Sequence, residues 1–251
     1  MYLKTKGLVL RTTEYKDTDT ILTVLTTDRG LMTVKARGVR RNASNLKSAC
    51  QLLSYSEFTL MDVRGYYTVT EAVSLEMFQG LRKDIELLSL ASYFAQLAEV
   101  LSQEDLPQPA LLSLTLNACY AISALQKDQA LVKAAFELRL AAIAGYEPQT
   151  DGCSVCGRPE VSFFSVRGGA LLCSGCNDGQ GLRLPVSAGS LAAMRYILYA
   201  EDKRVFSFRL EGSAKKELCD IAETYLLTQL ERGFYTLDFY KSLMIGQENI
   251  K

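Results

Sequence analysis

From Leu3 to about Glu76 apolar and polar residues alternate with a period of two, in five runs: Leu3 to Arg11, Asp19 to Thr27, Leu31 to Arg37, Leu52 to Asp62 and Tyr66 to Glu76. Turn residues stand between them at Asp28-Arg29-Gly30 and Arg64-Gly65, so the pattern predicts five short strands. Five strands in this length suggest a small closed barrel. An OB-fold has this count and size, and the pattern alone does not separate it from a five-stranded SH3-like barrel.

After Gly80 the period becomes helical. Leu81, Ile85, Leu88, Ala91, Ala95, Ala98 and Leu101 recur at three and four until Pro107 and Pro109 stop the run. A second helix is expected over Ala110 to Leu125 and a third from about Asp128 to Gly145, a natural C-cap; the three are expected to pack as a bundle. Helices return over Ser187 to Tyr199 and Ser213 to Arg232. Between the third helix and these, Phe163 to Val166 and Ala170 to Leu172 flank Gly168-Gly169 as a short hairpin. The expected organisation is a barrel at 1–80, helical domain at 81–150, an insertion at 151–181, helical domain again at 182–244 and a flexible tail at 245–251. The fold class is α+β.

Composition narrows the chemistry. The stretch from Leu106 to Gln126 has no charge, but Pro107, Gln108, Pro109, Ser113, Thr115 and Asn117 leave too short an apolar run to span a bilayer, and a buried core helix is expected. No apolar signal region follows Met1, and a cytoplasmic protein with no membrane role is expected. The seven cysteines are then thiols rather than disulfides. There is no histidine, which removes the commonest general base, the Ser-His and Cys-His nucleophile systems and most catalytic zinc sites.

Four cysteines have a spacing that explains them. Cys153-Ser-Val-Cys156 and Cys173-Ser-Gly-Cys176 are two C-x-x-C pairs with 16 residues between, the pattern of a tetrahedral zinc site. Four thiolates leave no position for water, so one structural Zn²⁺ is expected, folding a segment with too few apolar residues for a core. Arg158, Arg167 and Arg183 would offset the excess negative charge of that centre. Cys50, Cys119 and Cys219 sit in apolar surroundings and read as core.

The charge is uneven although its sum is zero. Residues 1–80 hold 11 lysines and arginines against 8 acids, the remainder 17 against 20, and no acid lies between Arg29 and Ser56. Lys35, Arg37, Arg40, Arg41 and Lys47 fall on a strand end and a loop marked by Gly38, Asn42, Ser44 and Asn45. Such a loop can follow a phosphate backbone while Tyr66 and Tyr67 stack on bases. A solvated loop and two tyrosines in cross-strand packing would look the same in sequence.

The order of these features resembles the bacterial recombination mediator family RecO. The resemblance is carried by Gly7-Leu-Val-Leu-Arg11 with Tyr15 and Asp19, by Lys35-Ala-Arg-Gly-Val-Arg-Arg41, by Leu81-Arg-Lys-Asp84, and by Phe136-Glu-Leu-Arg-Leu140 leading through Gly145-Tyr-Glu-Pro148 into Cys153-x-x-Cys156-Gly. It implies an OB-fold barrel, a helical domain and an inserted four-cysteine zinc finger. It also implies binding of single- and double-stranded DNA, strand annealing, and help in loading RecA onto strands coated by single-stranded-DNA-binding protein, in a bacterial, nucleoid-associated setting. The partners it implies are RecR and the C-terminal tail of that binding protein. Some members of this family lack the cysteines, and the loop here continues as Asn42-Ala-Ser-Asn45 without further lysines. A zinc-ribbon adaptor acting only on proteins is the competing reading. No P-loop, G-x-S-x-G elbow or dinucleotide fingerprint supports an enzyme, and Asp17 and Asp19 read as turn and strand-start residues rather than magnesium ligands.

Overall fold

The structure is a computed structural model describing residues 1–248. Five strands, β1 (Tyr2–Tyr15), β2 (Asp19–Thr26), β3 (Gly30–Ala36), β4 (Tyr55–Val63) and β5 (Tyr66–Glu76), close into a barrel in the order β1-β2-β3-β5-β4. All neighbours are antiparallel except β3 and β5. This is the Greek-key order of an OB-fold, and it settles the choice that periodicity left open. Val9, Leu22, Val24, Met32, Val34, Phe58, Leu60 and Val69 fill the interior, and Val39 and Cys50 reach in from the segment joining β3 to β4. Leu8, Val9 and Leu10 are all buried although adjacent, because the β1–β2 register shifts between Val9 and Arg11; the extra residue is a bulge, and β1 runs on past it to Tyr15.

The chain divides into two compact units, Met1–Ala124 with the segment from Phe234 onward, and Leu125–Gly233. In the first, a 3-10 turn at Gln79–Lys83 precedes α1 (Ile85–Leu101). The expected helix therefore starts later than its period suggests, because the Asp84 carboxylate accepts the amide hydrogens of Glu86 and Leu87 and caps α1 there. Next comes α2 (Pro109–Ser123), with Pro109 in its first turn. Its face of Leu111, Leu112, Leu114, Ala118 and Cys119 is buried, as expected of a core helix. Among the described residues no helix is long and apolar enough to cross a membrane. Gly30 opens β3 at φ +61, and a Cβ there would sit 2.3 Å from the Leu106 carbonyl oxygen, so only glycine fits beside the α1–α2 connection.

The second unit holds α3 (Gln129–Ile143), a small sheet of β6 (Gln149–Cys153), β7 (Phe163–Ser165), β8 (Ala170–Leu172) and β9 (Arg183–Pro185) in the order β6-β8-β7-β9, then α4 (Ala188–Tyr199) and α5 (Gly212–Leu230). Gly145, at φ +90, ends α3 in a Schellman motif: Tyr146 N–H donates to the Ala141 carbonyl at 2.8 Å and Gly145 N–H to Ala142 at 3.0 Å. The last helix, α6 (Tyr235–Glu248), returns to the first unit. Residues 249–251 of the expected tail lie outside the described residues, and α6 occupies the tail's beginning.

Within the first unit α1 packs against α2 and α6, and within the second α3 packs against α4 and α5. Particular side chains make these contacts. On α1, Tyr93 meets Phe234 edge-on at 5.9 Å and Gln96 Oε1 accepts from Thr236 at 2.6 Å. On α3, the buried ammonium of Lys133 needs Glu223 of α5, 2.8 Å away.

Candidate nucleic-acid interface and metal centre

Pairing across the β1–β2 hairpin sorts its side chains onto two faces. Ile21 stands opposite Thr13 and Lys35, and Asp19 opposite Tyr15; Thr20 stands opposite Glu14 and Ala36. Alternation therefore puts Tyr15, Asp19, Ile21, Lys35 and Arg37 on the outer face, and Glu14 and Thr20 on the other.

On the outer face lies a groove of about 750 Å³ lined by Tyr15, Ile21, Met32, Lys35, Arg37, Gly65, Tyr66 and Tyr67, with Glu104 and Asp105 also on its wall. The cations stand at the C-terminal end of β3. Glu104 pairs with Gly30 and Leu31 at the other end, about 13 Å from Lys35 and about 20 Å from Arg37 along the strand. Tyr66 is 81% exposed, whereas Tyr67 is half-buried against the barrel core. The groove thus combines the β2–β3 face with the β1–β2 and β4–β5 turns, the surface on which OB-folds bind oligonucleotides.

Not every expected cation is available. Lys35 Nζ lies 2.9 Å from Asp19 and 4.6 Å from the centre of the Tyr15 ring. Asp19 also accepts the Gly38 amide at 2.9 Å; that bond first, and Lys35 second, hold its carboxyl below the usual carboxylate range. The pair clamps the root of the basic loop, and Asp19 is thereby engaged rather than open to a metal. Arg40 pairs with Glu14 at 2.9 Å. Among the described residues Arg37, Arg41 and Lys47 make no ion pair. Arg41 is exposed, its side chain folded beside Gly38.

Lys35, Arg37, Tyr66 and Tyr67 therefore share one groove. Arg40 and Lys47 instead line a smaller hollow of about 330 Å³ with Thr12, Glu14, Thr20, Gln51 and Arg82. Sequence reasoning omitted Tyr15 and Arg82 from the interface. Both stood in motifs already singled out, but only the pairing of β1 with β2 and the fold of the 3-10 turn bring them to it.

In the second unit β7 and β8 alternate likewise. Phe164 and Leu171 face inward, Phe164 meeting Tyr225 of α5 edge-on at 5.2 Å, while the paired Phe163 and Leu172 turn to the cysteines. That second face buries only Cys153, Leu172 and Cys173, too few for a core. The four sulfurs all lie within 4.8 Å of one another, with Cys156 and Cys173 at 3.7 Å. Four ligands at about 2.3 Å from a tetrahedral ion stand about 3.8 Å apart, so the set could hold one metal ion. The Cys173 amide foremost, with those of Cys156 and Val155, stabilises the Cys153 thiolate and brings that thiol down to about 6 against opposing burial. Hydrogen bonds to the sulfurs of Cys173 and Cys156 push Cys176 up to about 12. Arg183 lies 4.7 Å from the Phe163 ring centre and donates to the Cys176 carbonyl, whereas Arg158 offers its own carbonyl to the Cys153 amide. The other three thiols are held protonated by burial, Cys50 and Cys119 at about 12 and Cys219 at about 11.

Comparison with known proteins agrees with this architecture over nearly the whole chain. Residues 1–78 match the family described as Recombination protein O N terminal, and residues 82–238 match Recombination protein O C terminal. The DNA repair protein RecO of Acetivibrio thermocellus is 32% identical over 244 residues, covering 96% of this chain and 97% of that protein. Proteins of the same name from Desulforudis audaxviator and Bacillus pumilus are 31% and 28% identical over 97% and 98% of the chain, and 98% and 99% of their own lengths. With both halves matched in order, and a relative of this identity aligned almost end to end, the chain belongs to the RecO family of DNA repair proteins.

Proposed function

We propose that this chain is a non-catalytic recombination mediator that binds single- and double-stranded DNA on its barrel, anneals complementary strands and assists RecA loading on strands coated by single-stranded-DNA-binding protein. The observation that carries this reading is the outer groove on an OB-fold face, lined by Tyr15, Tyr66, Tyr67 and Arg37, which makes no ion pair among the described residues. A cation fixes the backbone and aromatic rings accept bases of any sequence, as a protein that must act on arbitrary strands requires. Lys35 shapes the loop through Asp19, Arg41 adds exposed charge in the loop, and Arg40 and Lys47 stand on the other face of the hairpin, Arg40 paired with Glu14.

The four cysteines would hold one zinc ion, whose role is to fold β6 to β9. In this reading the acidic, apolar tail of the single-stranded-DNA-binding protein docks in a hollow of about 530 Å³ in the second unit, where Leu131, Val132, Phe206 and Phe208 stand beside Lys127 and Arg209, and where Lys215 already pairs with Asp128 and Glu211 is also on the wall. RecR is the other protein partner in this reading.

Binding and annealing of complementary labelled oligonucleotides, followed in parallel in EDTA and in magnesium, test it. The mediator binds and anneals with no strand cleavage. A zinc-ribbon adaptor would not bind, and a nuclease would give metal-dependent products; either result would remove the proposal.

A further inference from the structure

We infer that the hollow beneath the β1–β2 hairpin, lined by Lys47, Arg82, Thr12, Thr20 and Gln51, is a second strand-binding groove that holds a DNA backbone and leaves its bases outward. The inference rests on the DNA-binding reading above and assigns a second site to it.

Three observations carry it. First, the hollow and the outer groove use opposite faces of one hairpin: Thr12, Glu14 and Thr20 line the hollow, Tyr15 and Ile21 the groove. A strand lying in one is walled off from the other. Second, the hollow is positive after its internal pairing is counted. Glu14 is matched by Arg40, leaving Lys47 and Arg82. The Arg82 guanidinium donates to the Leu52 carbonyl at 2.9 Å and to Ser54 Oγ at 3.4 Å, and among the described residues no carboxylate pairs with it. Those two hydrogen bonds orient the exposed guanidinium, so the site carries a fixed cation without a counter-ion among the described residues. Third, no aromatic residue lines the hollow, whereas three tyrosines line the groove. Stacking is available on one face of the hairpin and only phosphate contact on the other.

This division has a consequence for annealing. A strand stacked on Tyr66 has bases in contact with protein, but a strand held by Lys47 and Arg82 presents free bases to a complement. Double-stranded DNA, whose bases are already paired, is also accommodated by a backbone-only site.

The test is native mass spectrometry of the full chain with tetrathymidylate, at the lower end of OB-fold site sizes of about 4 nucleotides, and with its abasic counterpart. The wild type is expected to bind two tetrathymidylates and one abasic tetramer. Lys47→Glu, an exposed change with no partner to lose, should retain one tetrathymidylate and no abasic tetramer. Arg37→Ala with Tyr66→Ala should retain one of each. A single tetrathymidylate on the wild type, with Lys47→Glu indifferent, would overturn the second groove and leave the outer one standing. No binding of either probe would overturn both this inference and the DNA-binding reading.

Discussion

Cys173→Ser is expected to empty the metal site and unfold the ribbon. Structural zinc contributes an apparent 10–16 kcal/mol, about the size of a whole domain's stability of 5–15 kcal/mol. Here the loss falls on a face whose buried residues are two of the ligands themselves and Leu172. Serine is close to isosteric but a poor zinc ligand, so the change removes metal affinity without crowding. The opposite face, where Phe164 packs on Tyr225, would remain apolar but lose the hairpin geometry that the cysteine turns impose. Metal content by mass spectrometry should fall from one metal ion per chain to none, and trypsin should cut after Arg167 and Arg183 in the variant while sparing them in the wild type, Arg158 being protected in both by Pro159. Oligonucleotide affinity should stay within a few-fold, because the outer groove is built wholly from the first unit. A variant that resists trypsin like the wild type would show that packing alone folds the ribbon.

Lys133→Met is expected to be the most destabilising change in the second unit that touches no ligand. Lys133 is 7% exposed and Glu137 fully buried; the ammonium lies 2.7 Å from Glu137 and 2.8 Å from Glu223. Burial pushes the ammonium down, but the two carboxylates outweigh it and raise its pKa. Because the folded value is raised, the network's contribution is complete below the ordinary lysine value of about 10.4 and fades only as pH rises through the higher folded one. It is therefore present throughout the neutral range. Methionine keeps the volume and takes the cation away from a fully buried carboxylate, at a cost of about 3–5 kcal/mol. Converting all three residues together, Lys133→Met, Glu137→Leu and Glu223→Met, should recover most of that loss, since the cost lies in the buried charge rather than in the shape. Urea unfolding of the full chain at pH 7 gives both numbers. A single variant within about 0.5 kcal/mol of wild type, the range of ordinary surface changes, would show that water reaches Glu137.

The barrel was legible where a strand buries one face, as along β3, where Met32, Val34 and Ala36 are buried in alternation with Thr33 and Lys35; along β5 the register shift leaves Val73 and Leu75 exposed. The barrel's closure was not legible, since the parallel pairing of Val34 with Tyr67 joins segments that carry no local sign of each other. The cysteines were legible for a chemical reason: few other arrangements need two C-x-x-C pairs at that spacing. Strands of three to five residues, such as β6 and β9, are too short to show a period. Helix α6 does carry one, at Leu237 and Tyr240 with Phe234 just before it, all buried, but over too few turns to stand out after Gly233.

The interface was half legible. Residue type marked Lys35 and Arg40 as cations, but Asp19 and Glu14, which bind them, come from the hairpin before the loop and become neighbours only when it closes. Arg37 and Lys47 look equivalent in sequence and end on opposite sides of that hairpin. Likewise the spacing of Lys133 and Glu137 announces a helical pair, while Glu223 arrives from another helix.

The claim that the basic barrel loop is the DNA site is tested most directly by fluorescence anisotropy of a labelled single strand across a salt series, comparing the wild type with the triple variant Arg37→Ala, Arg40→Ala, Arg41→Ala, with circular dichroism confirming the fold. The account expects binding at least about tenfold weaker. The slope of log affinity against log salt should become shallower by about 0.7 for each phosphate-contacting arginine removed. Unchanged affinity and slope in a folded variant would contradict it and make the loop an ordinary solvated surface.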